Sequence, residues 1–209
     1  MTPKGHAPAL IMKRALPPSL FLVILVVAEA VAQSNPDLTA CALFSTPRVE
    51  IFERCTRAIE SGRLTDAERV LAYTSRGGAW HANRNLDKAL ADYEAALAIN
   101  STHVETLRRR TFAWRAKGQL DRAIKDYDLI ISVKPNDSDM FIGRGVIWDE
   151  KGDPERAIAD FTRAIELAPG SALAFYNRSL VRKTRGDMIG SAADYAEARR
   201  LDPKIGIPR

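Results

Sequence analysis

Apolar positions recur in a two-part pattern from residue 70 to residue 205. In the stretch 138–171, Phe141, Gly145 and Trp148 lie at i, i+4 and i+7, which is one face of a helix. Ala157, Phe161 and Ala164 repeat that spacing and mark the apolar face of a second helix. Between them Gly152 supplies the backbone freedom that ends the first helix, and Pro169 closes the second. Small residues at Gly145 and Ala157 let the two helices approach closely. The pattern predicts a helical hairpin that cannot bury its apolar faces alone and therefore stacks on its neighbours.

The landmarks Trp148, Gly152 and Pro169 stand 34 residues after Trp114, Gly118 and Pro135. A fixed period of that size sets the whole architecture. Four units follow from it, 70–103, 104–137, 138–171 and 172–205, with 206–209 as a short tail. The first unit has Arg84-Asn85 at the turn, where Asn is expected to tolerate the left-handed conformation, and Ser101 in place of the proline. The fourth carries Arg182 where the others have Trp. At the Trp, Gly, Tyr, Ala, Phe and Pro positions the chain resembles the tetratricopeptide repeat. That resemblance implies an all-α fold, a right-handed α-solenoid of stacked antiparallel hairpins.

Two registers stand out when the units are superposed. Arg76, Arg110, Arg144 and Arg178 share one, and Asp92, Asp126, Asp160 and Asp194 share another. In a hairpin turning at the glycine these positions lie at the same height, so an Arg–Asp pair is expected in every repeat. It reads as a structural ladder, worth about 0.5–1 kcal/mol per pair if exposed. Leu90, Ile124 and Ile158 align with Ala192, and Leu97, Ile131 and Ile165 align with Arg199. These positions should face the following repeat, so the last unit turns small and charged as a terminal repeat must.

Ahead of the repeats, Lys13-Arg14, the apolar run Leu20 to Ala28 and then Ala30-Val31-Ala32 form a secretory signal over 1–32, with Met12 as an alternative start. The run is too short to span a bilayer. Cleavage would leave Gln33 first and direct the protein to the periplasm or outside the cell. Leu38-Thr39-Ala40-Cys41 looks like a lipoprotein box, but Gln33 to Asp37 separates it from the apolar run, which argues against an anchor at Cys41. The formal charge is +5, about +3 without the leader, too little to argue for nucleic acid. Cys41 and Cys55 are the only cysteines, and an even count in an exported chain points to a disulfide. Two free thiols are the alternative, and a metal pair fits less well because zinc sites want four ligands. Residues 33–69 read as a degenerate first hairpin tied down by that bond. The stretch Cys55 to Gly62 resembles exported bacterial repeat proteins of this kind.

Catalytic chemistry has no foothold. His81 and His103 lack a second ligand at metal spacing, and no nucleophile elbow, phosphate loop or zinc-protease motif occurs. No metal, cofactor or catalytic residue is expected. The resemblance instead implies a concave surface lined by the first helix of each hairpin. Its stripe is Thr74, Gly78 and His81, then Arg108, Phe112 and Arg115, then Ile142, Val146 and Asp149, then Tyr176, Leu180 and Lys183. An apolar floor between charged ends suits an extended peptide or a helix. Gly78, Phe112 and Val146 stand where the family's carboxylate clamp wants Asn, which argues against capture of a peptide C-terminus. The expected role is a non-enzymatic scaffold for a protein or peptide partner. The alternatives are a self-assembling homo-oligomer and an accessory subunit of an envelope enzyme or secretion complex.

Overall fold

Ten helices and no strands are found among the described residues. They are α1 (Pro36–Ala42), α2 (Arg48–Glu60), α3 (Asp66–Ala82), α4 (Leu86–Ile99) and α5 (Val104–Ala116). Then come α6 (Leu120–Val133), α7 (Ser138–Glu150), α8 (Pro154–Leu167), α9 (Ala172–Thr184) and α10 (Met188–Leu201). The structure, a computed structural model, describes residues 35–42 and 48–206. The leader expected over 1–32 and most of the tail expected over 206–209 lie outside the described residues. The chain divides into two compact units, Met1–Pro36 and Asp37–Arg209, of which the second holds the hairpins.

Each of the four hairpins from α3 to α10 turns through one residue in the left-handed region. Gly118, Gly152 and Gly186 take φ of 70°, 82° and 84°. In the first unit Arg84 takes this place with φ of 59°, whereas Asn85 keeps φ of −90°. The expectation that the asparagine carries the turn is thereby corrected. The backbone bonds Arg84 N–H to His81 and Asn85 N–H to Trp80, both 2.9 Å, put residue 84 at the bend. Asn85 instead caps α4, its side-chain oxygen accepting from Lys88 N–H at 3.2 Å. A second departure is the start of α3, one turn before residue 70. Thr65 and Glu68 form a reciprocal capping box there, and the extra turn is satisfied locally.

Inside each of two hairpins an aromatic ring from the second helix presses on a glycine of the first. A Cβ at Gly77 would lie 2.6 Å from Tyr93 Cε1, and one at Gly145 would lie 2.7 Å from Phe161 Cε1. Only glycine permits that approach. Tyr93 and Phe161 are almost wholly buried as a result.

The Arg–Asp pairs lie where the two helices of a hairpin meet. The closest nitrogen-to-oxygen distances are 2.8 Å for Arg76–Asp92, 2.6 Å for Arg110–Asp126, 2.7 Å for Arg144–Asp160 and 2.8 Å for Arg178–Asp194. Each is bidentate, with Nε and Nη2 on separate carboxylate oxygens. The four aspartates are only 4–6% exposed and their arginines 12–21%, so the acid half of the ladder is buried while the basic half keeps some contact with water. Three of the arginines also reach back to the preceding second helix, at Thr56, Asp128 and Thr162. Hydrogen bonds to Asp160 first, and then to Asp128, outweigh burial and raise the Arg144 guanidinium above the ordinary arginine value.

Thr56 in this chain of contacts puts α2 in the role of a second helix, packed against α3. Cys41 and Cys55 are bonded and buried beside Leu38, Ala58 and Ala72. Asp37 accepts from Arg54 and Arg57 at 3.0 and 3.1 Å. The bond closes a span of 14 residues, worth about 3 kcal/mol in the chain-entropy picture. It joins α1 to α2, and α1 is the shortest helix of the array.

A buried ion pair is costly to break from one side, because the charge left behind loses its partner without regaining water. Asp126→Ala is therefore expected to lower stability by at most about 3 kcal/mol, the low end for a buried pair, since the Arg110 side chain left uncompensated keeps 20% exposure. Replacing both partners together, Arg110→Met with Asp126→Leu, should cost far less. Urea unfolding followed by circular dichroism reads both, and equal losses would mean that the charges do not matter.

Candidate functional site: a groove across the first helices

Successive hairpins repeat one register, so their first helices α3, α5, α7 and α9 follow one another along the same side. A cavity of about 460 Å³ lies between α5, α7 and the start of α9. Arg108, Phe112 and Arg115 of α5 line it, together with Ile142 and Val146 of α7. These five belong to the stripe read from the sequence. Tyr176, Leu180 and Lys183 do not join them. They line a separate cavity of about 410 Å³ with residues of α10, at the end of the fourth hairpin, where no further helix follows among the described residues. Asp149 lines neither cavity and stands exposed on the last turn of α7.

The stripe is closed off in the first hairpin. Thr74 is buried and donates to the Val70 carbonyl at 2.7 Å, with its oxygen 2.6 Å from Thr106 Oγ1. Thr106 in turn meets Nδ1 of His103, the residue that caps α5. Gly78 lies beneath Arg109, whose Nη1 would be 2.7 Å from a Cβ added there. The open groove therefore begins at α5.

Several lining residues lie outside the sequence stripe. Leu173, half exposed, comes from the first turn of α9, and Met140 and Ile147 form the deeper wall on α7. A signal for the last two exists. Thr106 and Ala113, Met140 and Ile147, and Ala174 and Val181 are three pairs seven residues apart, all buried. They mark a second stripe on the first helices, the one that packs onto the preceding hairpin.

Charges at the rim answer one another. Arg115 pairs with Glu150 across the mouth of the groove, which raises its guanidinium above the ordinary arginine value. Glu105 accepts from Arg108 at 2.8 Å and from Arg109 at 2.6 Å. Burial pushes the Glu105 carboxyl up, but these two arginines outweigh it and hold the group below the ordinary glutamate value. Asp149 goes the other way, pushed up by desolvation and then by the charge of Glu150. The floor is left as apolar surface, with Phe112 41% exposed at its centre. No group of three or more His, Cys, Asp or Glu is placed to hold a metal among the described residues. Nor is any described helix long and apolar enough to cross a membrane.

Fold and groove together define a stacked helical-hairpin protein with a partly apolar groove across its first helices. Residues 113–172 and 149–204 match the family model described as a tetratricopeptide repeat. Over residues 113–204 the chain therefore carries tetratricopeptide repeats. Among similar solved structures, MamA is 15% identical with a TM-score of 0.67, covering 75% of this chain and 90% of that one. MamA 41-end from Desulfovibrio magneticus RS-1 is 12% identical with a TM-score of 0.67, covering 92% and 99%. YrrB, described as a TPR protein with an unusual peptide-binding site, is 17% identical with a TM-score of 0.67, covering 87% and 93%. At these identities the likeness is one of fold. No curated protein matches the chain.

Glu150→Gln removes one of the two causes that raise Asp149. The Asp149 carboxyl should then titrate lower, closer to an ordinary aspartate, in an NMR titration of the side-chain carboxyls. An unchanged value would leave desolvation as the sole cause.

Proposed function

We propose that the protein is a non-enzymatic scaffold of the cell envelope that binds an extended peptide or a helix of another protein in the groove between α5, α7 and α9. The exposed ring of Phe112 over a floor of Ile142 and Val146 carries this reading. A large apolar side chain held open to water beside buried aliphatic groups favours insertion of a partner's apolar groups. The rim arginines are already answered by Glu105 and Glu150, so the groove is poorly suited to gripping a charged terminus. Recognition then rests on apolar side chains spaced along the partner. The description of YrrB as a protein with a peptide-binding site supports a peptide ligand for this fold.

The envelope location is supported by the leader pattern before Gln33 and by the Cys41–Cys55 bond, since disulfides persist in oxidising compartments. Expressed in a bacterial host, the chain should appear in the periplasmic fraction with Gln33 as its first residue. Mass spectrometry of that fraction decides, and an intact Met1 or Met12 terminus in the cytoplasm would overturn the location.

Selection from a displayed library of random peptides tests the groove. Selected peptides should carry spaced aromatic or aliphatic residues, and Val146→Glu or Phe112→Glu should weaken them at least about tenfold, about 1.4 kcal/mol or more. Circular dichroism would show that both variants fold. Peptides that bind the variants as well as the parent would rule the groove out.

A further inference from the structure

The open end of the array keeps an apolar surface that three earlier hairpins cover. Tyr93, Tyr127 and Phe161 hold one register on the second helices and are 1–5% exposed. Tyr195 holds the same register in α10 and is 40% exposed. Beside it Leu180 is 44% and Met188 60% exposed, around a cavity of about 410 Å³ that also includes Tyr176 and Lys183. The expectation of a small, charged end is met at Ala192 and Arg199 but not at these neighbours.

The chain itself displays what covers this face. In each preceding hairpin it is the first helix of the next one, seated through the residue pairs seven apart named above. Ala174 and Val181 of α9 pack this way into the cluster of Phe161, Ile158 and Ile165. The matching occupant at the end is a helix with small or aliphatic residues at i and i+7.

Charge narrows the choice further. Lys183 and Arg199 have no ion pair or hydrogen bond from their side chains among the described residues. The nearby acids are engaged, Asp194 by Arg178 and Arg182, Asp187 by Arg182, Glu197 by Arg200 and Asp202 by the backbone N–H of Lys204. Two copies meeting through this face would bring their free cations together. We propose that the end of the fourth hairpin, between α9 and α10, is a second docking site, and that it accepts an amphipathic helix with acidic edges from another protein. Gly206, the last described residue, lies against Tyr176, while Met188 and Tyr195 are exposed.

Two synthetic helical peptides of the length of α9 test the site by fluorescence anisotropy with the full chain. Both carry isoleucine at i and i+7, one with glutamate along its edges and the other with lysine. The glutamate peptide should bind at least about tenfold tighter. Leu180→Ala with Met188→Ala should weaken it by a similar factor, and Val146→Glu should leave it unchanged, which separates this site from the groove. Lys183→Glu with Arg199→Glu should reverse the preference between the two peptides. Absence of binding, indifference to the end-face variants or an unreversed preference would overturn the proposal. A dimer seen by light scattering that Met188→Ala dissolves would overturn it in favour of a second copy on this face. Binding that appears only after removal of the residues beyond Lys204 would overturn it in favour of the tail.

Discussion

A carboxylate buried between two helices tolerates few geometries, and this array depends on four of them. Each aspartate must receive both prongs of one guanidinium to offset its loss of water. That condition sets the height at which the helices of a hairpin face each other. Three of the arginines extend a remaining nitrogen to the preceding second helix, so the same group also sets the spacing between hairpins. Burial of the aromatic rings against Gly77 and Gly145 follows from that alignment. The apolar contacts supply most of the driving force, while the ion pairs select one register among several that would bury similar area.

Weaker contacts repeat with the same period and follow that register. Lys88, Arg122 and Arg156 lie over Trp80, Trp114 and Trp148, each cation eight residues after its ring. Where the fourth unit replaces the ring by Arg182, the cation's place is taken by Gly190, and Arg182 turns to Asp194. Lys117 with Asp87, Lys151 with Asp121 and Arg185 with Glu155 tie neighbouring turns at a spacing of 30 residues. Exposed pairs of this kind contribute little each.

Much of this is legible in the sequence because a period repeats its own signal. One Arg and one Asp say little, but four of each in register point to a pair in every hairpin. The groove is legible where a following helix exists, at Phe112 and Val146, and the same stripe misleads where none does, at Tyr176 and Leu180. The turn at Arg84 misleads for a different reason. Residue preference favours Asn85, but the hydrogen bonds to His81 and Trp80 impose the left-handed conformation on the residue before it. Burial of the ladder is also hidden from the sequence, because charge pattern alone does not reveal how closely two helices meet.

The two apolar surfaces differ in what surrounds them, and that difference follows from position in the stack. An interior first helix has neighbours on both sides, so its rim charges find partners across the groove, as Arg115 finds Glu150. Among the described residues the fourth repeat has a neighbouring hairpin on one side only, and Lys183 and Arg199 are left there without a partner. An interior groove of this kind discriminates by shape and by the spacing of apolar side chains, with little dependence on salt. The terminal face discriminates by charge as well, and its binding weakens as salt screens the two cations. One repeated unit thus yields two surfaces of different selectivity, and the cause is that no further hairpin follows α10 among the described residues rather than any change in the fold.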